Sequence, residues 1–102
     1  MVALLNIDPK QFGANATRHL PEFGRDPVRS SDRHWLMDYI LQTYTAPHQI
    51  REGTFAGLGP VWFFAKGSDV VITDRKHNFL AILKNGTRHQ SFQIARVLLE
   101  HP

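Results

Sequence analysis

Residues 50–86 constrain this chain more than any other stretch. Four short runs, 50–55, 60–66, 69–73 and 78–84, are separated by Gly57-Leu58-Gly59, Gly67-Ser68 and Asp74-Arg75-Lys76-His77, and Asn85-Gly86 closes the last. Glycine accepts positive φ, and Asp or Asn hydrogen-bonds its own backbone, so such breaks favour turns. Within the runs, Val61, Trp62, Phe63, Phe64, Val70, Val71, Ile72, Phe79, Leu80, Ile82 and Leu83 supply the β-branched and aromatic content that a pleated, half-buried surface prefers. The connections are too short for crossover helices, so neighbouring strands are expected to be antiparallel. Such a sheet needs at least one face covered.

The cover is visible on the N-terminal side. A helix capped by Ser31 or Asp32 is expected to run to about residue 45. Trp35, Leu36, Met37, Tyr39, Ile40, Leu41 and Tyr44 make it apolar over more than one face, the pattern of a mostly buried helix. Ala46-Pro47 stops it. Asp8-Pro9 is a start signal for a weaker helix over 9–18, ended by Leu20-Pro21. Residues 1–8 read as a flexible or strand-like lead-in, and 21–30 as a loop. Residues 88–101 show a helical period, with Phe92, Ala95 and Leu99 on one face and Pro102 as the stop. The expected fold is therefore α+β: a small four-stranded antiparallel sheet with helices packed on one face, in a single domain spanning 1–102.

Trp62 and Phe64 point to one side of their strand, Val61 and Phe63 to the other. One pair is expected in the core. The other is open to a second role as a stacking platform for bases, on a sheet face that would also present Lys66, Lys84 and neighbouring cations.

Composition narrows the function classes. The 102 residues contain no cysteine, which removes disulfides, thiolate metal sites and cysteine nucleophiles. No apolar run approaches the ~20 residues of a membrane span. The first residues, Met-Val-Ala-Leu-Leu-Asn-Ile-Asp, lack the basic region of a signal peptide. Net charge is +3 before six histidines are counted, so the chain favours polyanions such as nucleic acid or acidic protein surfaces. There is no G-x-S-x-G and no phosphate-cradling glycine loop, which removes serine-hydrolase and NTPase readings. No His-x-x-x-His pair and no tight carboxylate cluster points to a metal, and no cofactor is expected.

Histidine beside lysine and arginine remains. That is the minimal kit for RNA cleavage without a metal. A base takes the ribose 2′-hydroxyl proton, an acid protonates the departing 5′-oxygen, and cations stabilise the phosphorane. Histidine suits both proton transfers, and RNA brings its own nucleophile. His19 follows Arg18 at the end of the first helix; taken alone it reads equally as a helix C-terminal histidine, where positive charge is favoured. His77 and His89 lie near Arg75, Lys76, Lys84 and Arg88; taken alone they read as parts of solvated basic turns. His34, His48 and His101 are expected to be structural or incidental.

The order of motifs resembles the C-terminal ribonuclease domain of colicin D and the similar toxin tips of contact-dependent inhibition proteins. Arg18-His19-Leu20-Pro21-Glu22-Phe23-Gly24 looks like that family's basic-His-x-x-acidic-Phe-Gly motif. The helix through residues 34–44 follows, and then Ile50-Arg51-Glu52-Gly53-Thr54-Phe55 resembles a first strand ending in Gly-Thr-aromatic. Val70-Val71-Ile72-Thr73-Asp74 and His77-Asn78-Phe79-Leu80 resemble the paired strands around an Asp-containing turn. The likeness covers about two-thirds of the chain. Where the family has a Ser and a Trp before a Lys at the end of its last strand, this chain has Ala81, Leu83 and Lys84. Thr73, Thr87 and His89 are candidates for the missing hydroxyl or imidazole.

The resemblance implies an anticodon nuclease that cuts tRNA, arginine tRNA in colicin D itself, to 2′,3′-cyclic phosphate and 5′-hydroxyl ends. It places catalysis at His19, with Arg18 beside it and the kept Lys84; the basic residues of the sheet and its turns, Lys66, Arg75, Lys76, His77, Arg88 and His89, are expected to contact the RNA. It implies export as part of a larger toxin, action in the target-cell cytoplasm, no stable membrane association, and an acidic immunity protein as partner, the domain being otherwise monomeric. Two other classes stay open at this level: a non-catalytic nucleic-acid-binding module, and a protein–protein interaction domain such as an antitoxin or phage accessory domain.

Overall fold

The structure, a computed structural model, describes residues 4–101. The first residues of the lead-in and Pro102, the expected helix stop, lie outside them. Helix α1 (Pro9–His19) runs directly into a 3-10 turn (Leu20–Phe23), and helix α2 (Ser30–Thr45) follows. Strands β1 (Gln49–Phe55), β2 (Gly59–Lys66), β3 (Asp69–Thr73) and β4 (Phe79–Leu83) form an antiparallel meander. A second 3-10 turn (Gly86–Arg88), a one-turn helix α3 (Gln90–Gln93) and strand β5 (Arg96–Glu100) complete the order.

The sheet has five strands rather than four, in the order β4-β3-β2-β1-β5. The expected helix over 88–101 is absent. Its first half is the short α3, and its second half pairs with β1, Gln49 opposite Glu100 and Glu52 opposite Arg96. The physical reason lies outside the segment. Without β5, β1 would be left with a row of unpaired N–H and C=O groups, and pairing satisfies them. Val97-Leu98-Leu99 suits a strand as well as a helix, so tertiary demand decides.

Both sheet faces are covered. On the first, Phe12, Ala16 and Leu20 from α1 and its extension, with Leu36, Ile40 and Tyr44 from α2, pack on Phe64, Val71 and Ile82. On the second, Phe92 packs on Val61, Phe63, Val70 and Ile72. The expectation of helices on one face is corrected accordingly, and so is that of an open cationic platform on the other. Phe64 and Phe63 are each buried in a different core, and Trp62 packs against the first. Gly86 permits this second cover: a Cβ there would stand 2.9 Å from the Cβ atoms of both Val70 and Leu83.

Helix starts follow local chemistry. Asp8 caps α1, its carboxylate accepting from the Gln11 N–H at 3.1 Å. The expected Ser31 or Asp32 cap on α2 is not the one used. Arg29 occupies the N-cap without a side-chain bond, and Asp32 sits inside the first turn. There its carboxylate accepts from Arg25 Nη1 at 3.0 Å and from the Asp26 N–H at 2.9 Å, which folds the preceding loop onto the helix. Those bonds hold the Asp32 carboxyl below its ordinary range.

Helix α1 also closes the free edge of β4. Asn15 Oδ1 accepts from the Ile82 N–H at 3.1 Å, and Asn15 Nδ2 and Gln11 Nε2 donate to the Leu80 carbonyl at 3.1 and 2.6 Å. Asn15, which weakens a helix by propensity, is kept busy by the sheet edge. This docking fixes the C-terminal end of α1 beside the end of β4.

Candidate functional site: a histidine-flanked basic groove

The 3-10 turn after α1 carries the first group of the site. Leu20 is fully buried, and Phe23 packs edge-on against Trp35 and Tyr39 of α2, with ring centroids 5.4 and 5.8 Å apart. Gly24 at φ 71° ends the turn, a conformation that glycine adopts without a steric penalty. Tyr39 is locked in turn, its hydroxyl donating to Asp69 Oδ2 at 2.5 Å; burial, and then that bond, raise its pKa well above the ordinary phenol range. The turn is therefore held at both ends.

That frame sets one histidine. His19 is 9% exposed, and its Nδ1 lies 3.0 Å from Glu22 Oε1. An ionised carboxylate only accepts, so Nδ1 carries the proton and Nε2 of the neutral ring holds a lone pair. Among the described residues, Nε2 has no hydrogen-bond partner. Lys84 Nζ donates to the Glu22 carbonyl at 2.8 Å, tying the turn to the end of β4. An ammonium has three donors, so two remain.

A second histidine comes from the other side of the sheet. His89 is the N-cap of α3, and its Nδ1 accepts from the Ser91 N–H at 3.1 Å. With Nδ1 accepting, the ring proton sits on Nε2, which makes His89 a hydrogen-bond donor at that atom. Its ring packs tilted on Phe55, 5.1 Å between centroids.

His19 and His89 line one groove in two joined chambers. The first, about 520 Å³, adds Arg18, Gln11 and Asn15 to an apolar wall of Phe55, Leu58, Leu80, Ala81 and Leu83. The second, about 350 Å³, adds Glu22, Lys84, Asn85, Gly86 and Arg88. His19, Leu83 and His89 belong to both, so the two imidazoles stand at the junction. Three cations against one carboxylate give the groove a positive balance.

The residues singled out from the sequence divide cleanly. Arg18, His19, Lys84, Arg88 and His89 come together here, although 62 residues separate Glu22 from Lys84 in sequence. Lys66 stands at the end of β2 opposite Asp69 and lines neither chamber. Arg75 and Lys76 flank a separate hollow with Leu58, Pro60, Asp74 and Asn78, and Arg75 pairs with Glu52 at 3.1 Å. His77, at φ 65°, is hydrogen-bonded through Nδ1 to the Tyr44 hydroxyl at 2.6 Å and packs on Trp62. Thr73 is fully buried and donates to the Asp74 carbonyl, while Thr87 donates to the Ser68 carbonyl. Of the three candidates for the missing polar group, His89 is the one that joins His19.

Glu22 was not singled out from the sequence as a functional residue, nor were Phe55 and Leu58. The His-x-x-Glu spacing was the available signal for Glu22, since residues three apart share a helical face. Nothing local signals Phe55 and Leu58 as site residues; they line the groove from the end of β1 and the β1–β2 turn.

The fold and site together define a class: an α+β domain with a positively charged groove and two imidazoles at its centre. Comparison with protein-family models, with curated proteins and with solved structures returns no match to this chain. Among the described residues, no group of three or more His, Cys, Asp or Glu side chains is placed to hold a metal ion, and no helix is long and apolar enough to cross a membrane.

Proposed function

We propose that this chain is a metal-independent endoribonuclease domain that cleaves tRNA. One observation carries the reading: a histidine oriented by a carboxylate, with its Nε2 lone pair free, sits in a groove shared with a second histidine and three cations. His19 Nε2 takes the proton of the ribose 2′-hydroxyl as O2′ bonds to phosphorus. The P–O5′ bond breaks, and the departing oxygen takes a proton from solvent. The Nε2–H of His89 donates to a non-bridging phosphate oxygen, and Arg18, Lys84 and Arg88 offset the charge of the phosphorane. The products are a 2′,3′-cyclic phosphate and a 5′-hydroxyl.

The narrower identity rests on the resemblance of residues 18–24, 34–44, 50–55 and 70–80 to colicin D-like toxin domains. On that basis the substrate is the anticodon loop of a tRNA, and the domain is exported within a larger toxin and acts in the target-cell cytoplasm. An acidic immunity protein neutralises it by covering the groove. A chain without cysteine carries no disulfide against unfolding during transfer.

Incubating the protein with total tRNA in EDTA tests the reading: discrete fragments with cyclic-phosphate ends are expected, and His19→Ala is expected to abolish them. Intact tRNA with the unmodified protein would defeat the enzyme reading. A second reading, RNA binding without cleavage, is favoured by the structural use of Lys84 and His89, each of which also holds a backbone group. It predicts retention of intact tRNA by the same protein.

A further inference from the structure

The two chambers of the groove differ in chemistry, and the difference orients a substrate. The second chamber holds Lys84 and Arg88, suited to phosphates. The first is walled by Phe55, Leu58, Leu80 and Ala81, and its volume of about 520 Å³ falls within the ordinary range of small-ligand pockets. Arg18 also lines it, beside the histidines, and its two amide side chains are nearly fully engaged. The Asn15 amide is used on both sides by the edge of β4. Gln11 Nε2 donates to the Leu80 carbonyl at 2.6 Å, which leaves Gln11 Oε1 as a side-chain acceptor. A largely apolar chamber with an aromatic wall and one free amide acceptor, lined at one end by two imidazoles and Arg18, has the make-up of a nucleotide site.

We propose that the first chamber is a nucleobase pocket, which receives the unpaired base of the nucleotide whose 2′-hydroxyl attacks. This rests on the ribonuclease reading of the same groove and adds the orientation of the chain. The base packs against Phe55 and Leu58, its 3′-phosphate sits between His19 and His89, and the next nucleotide continues over Lys84 and Arg88. Base stacking on an aromatic wall requires a base freed from its own stack and pair. The substrate class is therefore an unpaired or looped RNA segment rather than a duplex. Gln11 Oε1 favours a base with an exocyclic amine.

The test is titration of the protein with adenosine 3′-monophosphate and, separately, with inorganic phosphate, followed by amide and methyl NMR. The nucleotide is expected to bind about 10-fold tighter than phosphate, the scale of one base–aromatic contact. It is expected to shift Leu58, Leu80 and Ala81 as well as His19 and His89, whereas phosphate shifts only the histidine and cation end. Leu58 lies in an exposed turn, so Leu58→Ser tests the chamber without threatening the core. It is expected to lose about 3-fold or more in nucleotide affinity and none for phosphate. Equal affinity for the two ligands, or a nucleotide that leaves the chamber signals unmoved, would overturn the pocket. Cleavage of tRNA alongside that result would leave the ribonuclease reading standing. Nucleotide binding in the chamber with intact tRNA would uphold the pocket and remove the catalytic reading instead.

Discussion

At the residue scale the site depends on a single contact. Glu22 sits one helical turn after His19 and fixes which ring nitrogen carries the proton. A carboxylate in that position orients the imidazole and stabilises the imidazolium formed when it takes a proton. Glu22→Ala is expected to lower kcat for tRNA cleavage by about 10- to 100-fold, below the full contribution of a general base, with little change in KM. Glu22→Gln keeps an acceptor oxygen and loses the charge, so it is expected to fall between. An unchanged kcat in Glu22→Ala would show that the contact is only a surface pair. His19 itself was legible as a candidate because it follows Arg18 and precedes Leu20-Pro21. Its partner was not, because a carboxylate three residues on is common in solvated turns and gains meaning only when the ring is buried.

At the scale of elements, the groove is made where several pieces meet, the 3-10 turn after α1 that carries Glu22 among them. The C-terminus of α1, the end of β4, the second 3-10 turn and the β1–β2 hairpin join it there. The second 3-10 turn is the most demanding of them, since Gly86 lies against Val70 and Leu83 with no room for a Cβ. Gly86→Ala is expected to destabilise the domain by about 1–3 kcal/mol through overpacking, measured as a lower urea midpoint. It should also reduce cleavage beyond the stability loss, because Arg88 and His89 ride on the same turn. Strand β5 illustrates the opposite case, an element with little burial of its own. Val97, Leu98 and Leu99 are 44%, 44% and 41% exposed, and the strand forms because β1 has an edge to pair. The register shifts between Ile50 and Arg51, whose partners are Leu99 and Val97, so Leu98 of β5 is the extra residue, a bulge of the kind common at sheet edges.

At the scale of the whole molecule, charge sets two expectations. Asp32 is held down first by the Asp26 N–H and then by Arg25, and Glu52 first by Arg96 and then by Arg75. Burial raises the Asp74 pKa, but bonds from the Asn78 side chain and backbone outweigh it and leave the carboxyl lowered. Carboxylates with depressed pKa values stabilise the fold above their ordinary values, 3.8 for Asp and 4.5 for Glu, and lose that contribution as pH falls below them. The melting temperature is therefore expected to hold near neutrality and to drop below about pH 5, less steeply in Glu52→Gln. The groove carries three cations, Arg18, Lys84 and Arg88. The log of RNA affinity is accordingly expected to fall with log salt at a slope of about −2 for an unpaired strand, by filter binding with His19→Ala. A flat salt response would point to a protein partner for this surface.

What the sequence determined by itself was the local grammar: α2 and the four strands of the meander, because apolar period and turn residues act within a few positions. Composition likewise determined the positive charge and the want of cysteine. Tertiary structure decided the rest, because it depends on groups far apart in the chain. The open edge of β1 turned an apparent helix into β5. The second core around Phe92 closed a face that alternation alone left open. The docking of α1 on β4 brought Arg18 and His19 to Lys84, Arg88 and His89, and left Lys66, Arg75, Lys76 and His77 elsewhere. Spacing along a chain places a residue on a face; only packing between faces makes a site.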